Sequence, residues 1–242
     1  MAVFAPSLSL MTPSTDADFA RIAEIQVAAF HAAADPFHMA FWRDVPVKER
    51  PAWYARYHAA GVAPPGESTV FVCARLPAEP ARADDVDGGE IIGFARWHVP
   101  QGSDGEGPTK SKPLPDYPAG ANRPCAQSIS TRSRLPKSEF SAHMREIAGV
   151  GRVKYWCSSA ERCHVAVLMC LAVDPAHQGH GAGRALVQWG IDRAEVADLP
   201  VYLETTTAGE RLYTSLGFEV RGREAVGEHR ITATYMLRER RN

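Results

Sequence analysis

An apolar run ending in Leu171, Ala172 and Val173 passes through a short polar turn into Gln178, Gly179, His180, Gly181, Ala182, Gly183 and Arg184. Glycines at 179, 181 and 183 remove Cβ atoms, so the backbone can turn sharply and aim several N–H groups at one ligand. Ala182, Ala185, Leu186 and Trp189 recur at i, i+3, i+4 and i+7, which predicts a helix over 182–196. The unpaired first amides of that helix and the positive end of its dipole would face the same ligand. Together these residues can build an anion cradle at a helix start.

Spacing narrows the ligand. The dinucleotide pattern Gly-x-Gly-x-x-Gly fails in both frames, because Arg184 and Leu186 stand where a third glycine is needed. No Lys-Ser or Lys-Thr pair closes the turn, which excludes a P-loop. Gln178-x-x-Gly181-x-Gly183 does fit Gln/Arg-x-x-Gly-x-Gly/Ala, and this resembles the pyrophosphate loop of GCN5-related N-acetyltransferases, the GNAT superfamily. A second landmark follows at the right separation. An alternating strand, Val201 to Thr205, precedes a short helix carrying Tyr213 and ending in Leu216-Gly217-Phe218, similar to the family's tyrosine helix. These motifs lie between about Val165 and the C-terminus, and over the first hundred residues only the order of elements agrees.

The resemblance implies an α/β (α+β) GNAT fold: a mixed, mostly antiparallel twisted sheet of six to seven strands flanked by helices, splayed between strands at about 165–173 and 201–205. Acetyl-CoA would enter the splay as cosubstrate. Backbone groups of Leu171, Ala172 and Val173 would pair with its pantetheine arm, and amides from Gln178 to Arg184 would hold its diphosphate. Attack of a neutral amine on the thioester needs a base, donors for the oxyanion and an acid for the sulfur. Tyr213 matches the family's tyrosine near the sulfur and is the expected acid; a packing tyrosine that only positions the cosubstrate is the alternative. Many family members carry a glutamate on the strand entering the loop, but residues 163–173 hold no carboxylate. His164 and Glu204 are therefore the candidate bases, with a water relay as the default. Phe37, Phe41, Trp42, Trp97 and Tyr155 are candidates for the acceptor pocket, with core filling as the alternative for each. The implied activity is acetyl transfer to the primary amine of a small molecule. A protein or peptide acceptor, and a non-catalytic CoA-binding module, remain the other readings.

Elements must position these residues. A first strand over 7–11 leads to a helix capped by Thr15 and Asp18, whose apolar residues Phe19, Ile22, Ile25, Val27 and Phe30 largely keep helical spacing. Residues 35–42 read as an aromatic linker broken by a proline, and 47–60 as a second helical region. Strands at 68–76 and 90–99 form an expected antiparallel hairpin. Residues 101–136 hold six prolines and little periodicity, which predicts a long surface insertion. A helix over 137–148 follows, then a strand over 163–173 apolar enough to be buried on both faces. After the tyrosine helix come two last strands, at 219–225 and 231–238.

With 242 residues, 45% of them hydrophobic, the chain can bury one sizeable core, and a single domain over 1–242 is expected. A net charge of −1 with no basic cluster argues against nucleic-acid binding. Five cysteines, an odd number, fit reduced thiols in the cytoplasm. Cys157, Cys163 and His164 lack a complementary ligand pair, so no metal is expected. The N-terminus lacks a signal-peptide pattern, and no window has the roughly 18 apolar residues of a membrane span. The partners expected are thus an amine acceptor and, as an open option, a second copy of the chain in a homodimer, with neither nucleic acid nor membrane.

Overall fold

In a computed structural model, which describes residues 8–61, 69–77, 89–99, 115–122, 165–226 and 231–240, Thr15 and Asp18 start the first helix by capping each other. The Thr15 hydroxyl accepts from the Asp18 amide at 3.1 Å, and the Asp18 carboxylate accepts from the Thr15 amide at 3.0 Å. Helix α1, Asp16–Ala32, presses Phe19, Ile22, Ile25 and Ala29 onto the sheet and turns Ala23 and Val27 toward its neighbouring helices. Asp35 then begins another helix, its Oδ1 accepting from the His38 amide at 2.8 Å. Pro36 occupies the first turn, where its missing N–H costs nothing. Helix α2, Pro36–Phe41, therefore replaces the expected linker, because Asp-Pro starts a helix here as well as breaking the previous one. Helix α3 spans Arg50–Ala60.

The strands are β1, Ser9–Met11; β2, Thr69–Arg75; β3, Ile91–His98; β4, Ala166–Val173; β5, Val201–Thr205; β6, Glu219–Val226; and β7, Ile231–Arg238. They form one sheet in the order β1-β2-β3-β4-β5-β7-β6, antiparallel throughout except for the β4–β5 pair. The mixed seven-strand layout with flanking helices is the one the GNAT resemblance implies, and the hairpin of β2 and β3 forms as expected. The turn between those strands, most of the 101–136 insertion, the 137–148 helix, Tyr155 and His164 lie outside the described residues.

Helices α1 to α3 cover one face. Helix α4, Ala182–Val196, covers the other with Leu186, Val187, Ile191 and Ala194. On that second face, Trp97 is fully buried, its indole N–H donating to the Leu186 carbonyl at 3.3 Å. A Cβ on Gly190 would overlap the indole, so the helix backbone and the ring pack directly together. Helix α5, Glu210–Thr214, is closed by Gly217 at φ 85°, with the Phe218 amide returning to the Tyr213 carbonyl. Strand β4 is central, yet it is not buried on both faces along its length: Met169 is 42% exposed.

Candidate functional site

That exposure follows from how β4 is paired. Its parallel ladder with β5 holds only at Ala166↔Val201, Val167↔Tyr202 and Leu168↔Leu203, while β4 runs on to Val173. From Met169 onward the two strands part, leaving the β5-facing edge of β4 without a strand partner among the described residues. On its other edge the register steps from Trp97↔Leu168 to Arg96↔Cys170, so Met169 is the extra residue of a bulge. Leu171, Ala172 and Val173 occupy the parted length, where an extended ligand could add as a strand.

Beyond the splay, the Asp174 amide donates to the Ile92 carbonyl, and Asp174 caps the next turn by accepting from the Ala176 amide. Burial pushes the Asp174 carboxyl up, but the Ala176 amide and Arg21, 2.7 Å away, outweigh it and hold the group below its usual range. Gln178 folds back so that its side-chain amide donates to the Val173 carbonyl at 3.0 Å. This explains a glutamine at the head of the loop: it ties the turn to the strand end. Gly179 and Gly181 adopt φ values of 81° and 89°, which side chains disfavour. Gly181 is the N-cap of α4 and offers no side-chain acceptor, so the first-turn amides at 182 to 184 are left to a ligand. A Cβ on Gly183 would make only ordinary contact with Leu212 and Val173, matching the Gly/Ala freedom of the motif. Arg184 turns away to donate to the Ser215 hydroxyl at 2.7 Å, bracing α4 against α5. His180 is exposed in the turn.

Tyr213 is buried beside the end of β5, its ring edge-on to Phe218 at 5.9 Å. Gly209 makes the approach possible, since a Cβ there would lie 3.0 Å from Tyr213 Cε2 and overlap the Thr205 hydroxyl. Burial, reinforced by the Cys170 thiol, raises the phenol well above its ordinary range, so it carries its proton at neutral pH. Burial pushes the Cys170 thiol up to about 12, which keeps it neutral.

The helix-covered face carries the aromatic candidates. Trp42 is fully buried and donates to the Tyr54 hydroxyl at 2.9 Å, and Phe41 packs edge-on against Trp53 and Tyr117. Both are core residues of the wall; Phe37 is only half-buried at its margin. Trp97 belongs to the opposite face, packed with Leu186, Val187 and Ile191, so the structure does not bring it together with Phe37, Phe41 and Trp42. The mid-helix Gly190 was the sequence signal for that packing. Glu204 stands one residue past the last β4–β5 pair, exposed, accepting from the Tyr202 hydroxyl at 2.9 Å. Neither His164 nor Tyr155 is among the described residues.

Two polar residues, Asp35 and Arg96, also belong to this face. Asp35 is held above the usual carboxylate range by burial, against the lowering pull of the His38 and Phe37 amides. Its charge is felt by both Tyr54 and Cys170. Arg96, opposite Cys170 at the bulge, lies over the rings of Tyr57 and Phe71. Among the described residues no group of His, Cys, Asp and Glu could hold a metal ion, and no helix is long and apolar enough to cross a membrane.

A sheet splayed beside a glycine cradle, with a tyrosine at the opening, defines the class. Residues 140–220 match the model of the acetyltransferase (GNAT) domain. A 57-residue stretch is 44% identical to the "Probable acyltransferase SID5" of Ajellomyces capsulatus; it covers 24% of this chain and 42% of that protein, under half its length. The chain is also similar to a crystal structure of the histone acetyltransferase HPA2 and related acetyltransferase from Corynebacterium glutamicum. That similarity has a TM-score of 0.54 at 21% identity, over 99% of this chain and 98% of the other. A GCN5-related N-acetyltransferase from Kribbella flavida aligns with TM-score 0.47 at 19% identity, over 96% and 97% of the two chains.

Proposed function

We propose that the protein is an acetyl-CoA-dependent N-acetyltransferase that modifies the primary amine of a small molecule, without a metal, as one domain in the cytoplasm. The observation that carries this reading is the alignment of three features along one path: the parted edge of β4, the side-chain-free N-terminus of α4, and the protonated Tyr213 at the β5 side. Bound acetyl-CoA supplies the thioester. The backbone of Leu171 to Val173 holds its arm, and amides from Gln178 to Arg184 hold its diphosphate, at the positive end of the α4 dipole. Tyr213 acts as the acid: its hydroxyl is protonated at neutral pH and passes that proton to the leaving sulfur. Glu204, at the mouth of the splay, takes the amine's proton directly or through a water, and Asp35 is a second carboxylate on the same face.

Residues 115–122 favour a small acceptor over a protein one. The Asp116 carbonyl accepts from the Trp53 indole at 2.8 Å, Tyr117 stacks on Trp53, and the Asn122 amide donates to the Phe41 carbonyl. This segment lies across the aromatic wall of α2 and α3, where a polypeptide acceptor would need open space.

The test is a titration of acetyl-CoA followed by thiol release with a panel of small amines and peptides. Amine-dependent release with small amines is the expected result. Faster release with peptides would give the protein-acceptor reading, and tight binding with no release for any amine would give a non-catalytic CoA-binding module.

A further inference from the structure

Arg96 has no ion-pair partner among the described residues. Its Nε is buried without a hydrogen-bond partner, and its guanidinium lies over the faces of Tyr57, at 5.3 Å, and Phe71, at 5.4 Å. Stacking on rings stabilises a cation from above and below, but it leaves the in-plane N–H groups unused. Among the described residues no carboxylate or carbonyl meets them. The Cys170 thiol opposite is neutral and offers no counter-charge. Arg75 and Arg221 also have a buried Nε without a hydrogen-bond partner, but each pairs with a carboxylate, Asp18 at 3.4 Å and Glu239 at 2.9 Å; Arg50 donates to the Val45 and Trp42 carbonyls, and Arg238 pairs with Glu195 at 2.6 Å. An arginine held flat by two rings with its donor edge free is shaped for a ligand.

Position agrees with that. Arg96 stands at the register of the β4 bulge, where the splay opens, and its stacking on Tyr57 puts it on the face of α1 to α3. At the tip of the guanidinium lies Gly61, the C-cap of α3, where a Cβ would come within 2.8 Å of Nη2. Gly61 has an ordinary φ of −89°, so the backbone does not require glycine there; its missing side chain is what lets the guanidinium lie against the end of α3. Nε itself is sealed, so the edge left to a ligand is the Nη1–Nη2 pair, whose two donors can match a carboxylate with two hydrogen bonds.

We infer that Arg96 anchors a carboxylate on the acceptor, and that the acceptor is therefore an amino acid or an amino-acid-like molecule bearing both an amine and a carboxylate. This rests on the acetyltransferase reading above and narrows its substrate class. The aromatic wall would take the rest of the acceptor.

The experiment measures binding, so it does not depend on turnover. N-acetyl derivatives of glycine, lysine, phenylalanine and tyrosine are titrated by saturation-transfer NMR against their decarboxylated counterparts. The protein is CoA-loaded, as wild type, Arg96→Gln, Arg96→Lys and Gly61→Ala, with acetyl-CoA affinity measured in parallel. At least one carboxylate-bearing probe is expected to bind tenfold or more tightly than its counterpart. Arg96→Gln should abolish that preference, Gly61→Ala should weaken it with the charge retained, and Arg96→Lys should restore part of it. Equal binding within every pair, or a preference that survives Arg96→Gln, overturns the inference. Loss of affinity for both members of a pair alike would mean a packing role and also overturns it. Acetyl-CoA binding without carboxylate selection sinks only this inference. Carboxylate selection through Arg96 without acetyl-CoA binding sinks only the acetyltransferase reading.

Discussion

Gly190 and Trp97 occupy one space: the indole lies against the backbone of α4 where any side chain at position 190 would stand. The pair fixes how α4 sits on β3, and thereby where the N-terminal amides of α4 point relative to the end of β4. Gly190→Ala should therefore cost about 1–3 kcal/mol through overpacking, despite the better helix propensity of alanine. A urea-unfolding midpoint shared with wild type would contradict it.

The cradle predicts a different kind of asymmetry. A Cβ on Gly181 meets nothing within 4 Å, so its cost is conformational: a non-glycine residue at φ 89° costs on the order of 1–2 kcal/mol, more when β-branched. Gly181→Val should weaken acetyl-CoA binding by roughly tenfold or more. Arg184→Ala removes only the brace to Ser215 and should change it less than about threefold. Equal dissociation constants for the two variants, measured by calorimetry, would remove the diphosphate from this loop.

Two buried histidines set the acid limit of the fold. His58 is pushed down to about 3, by burial first and then by Arg96, and its Nε2–H donates to Gln26 at 2.6 Å. His38 is pushed down to about 4 by burial, Arg50 and His31, with its Nε2 accepting from Arg50 at 3.3 Å. Below about pH 6.5 the unfolded chain binds protons that these sites refuse, so stability falls as pH drops. Each histidine contributes a slope near about 1.4 kcal/mol per pH unit between about pH 6 and pH 4.5, above the range where most carboxylates titrate. Unfolding free energies at pH 7, 6 and 5 should show this loss, and His58→Gln should remove about half of it. A flat profile in wild type would mean that the imidazoles are not sealed.

What could be read from the sequence follows the range of the forces involved. The glycine loop, the helix over 182–196 and the tyrosine helix are local, because their spacing alone dictates a positive-φ turn or an apolar stripe. Thr15 with Asp18 announced α1 for the same reason. Asp35-Pro36 was local too, but proline was weighed as a breaker and not as a first-turn residue. Trp97 and Arg96 are neighbours on one strand. The pleat sends them to opposite faces, one into the α4 core and the other under α3, and no local pattern says which face meets which helices. Met169 is exposed only because β4 and β5 part, a pairing between segments about thirty residues apart.

Turnover by Tyr213→Phe tests the account most directly, because it asks whether the residue at the splay moves a proton or only fills space. The variant keeps the ring against Phe218 and Gly209 and removes the hydroxyl alone. With an accepted amine and saturating acetyl-CoA, kcat should fall by roughly 10²-fold or more across pH, with KM for acetyl-CoA within about threefold of wild type. Near wild-type kcat over the whole pH range would contradict the account and reduce Tyr213 to packing.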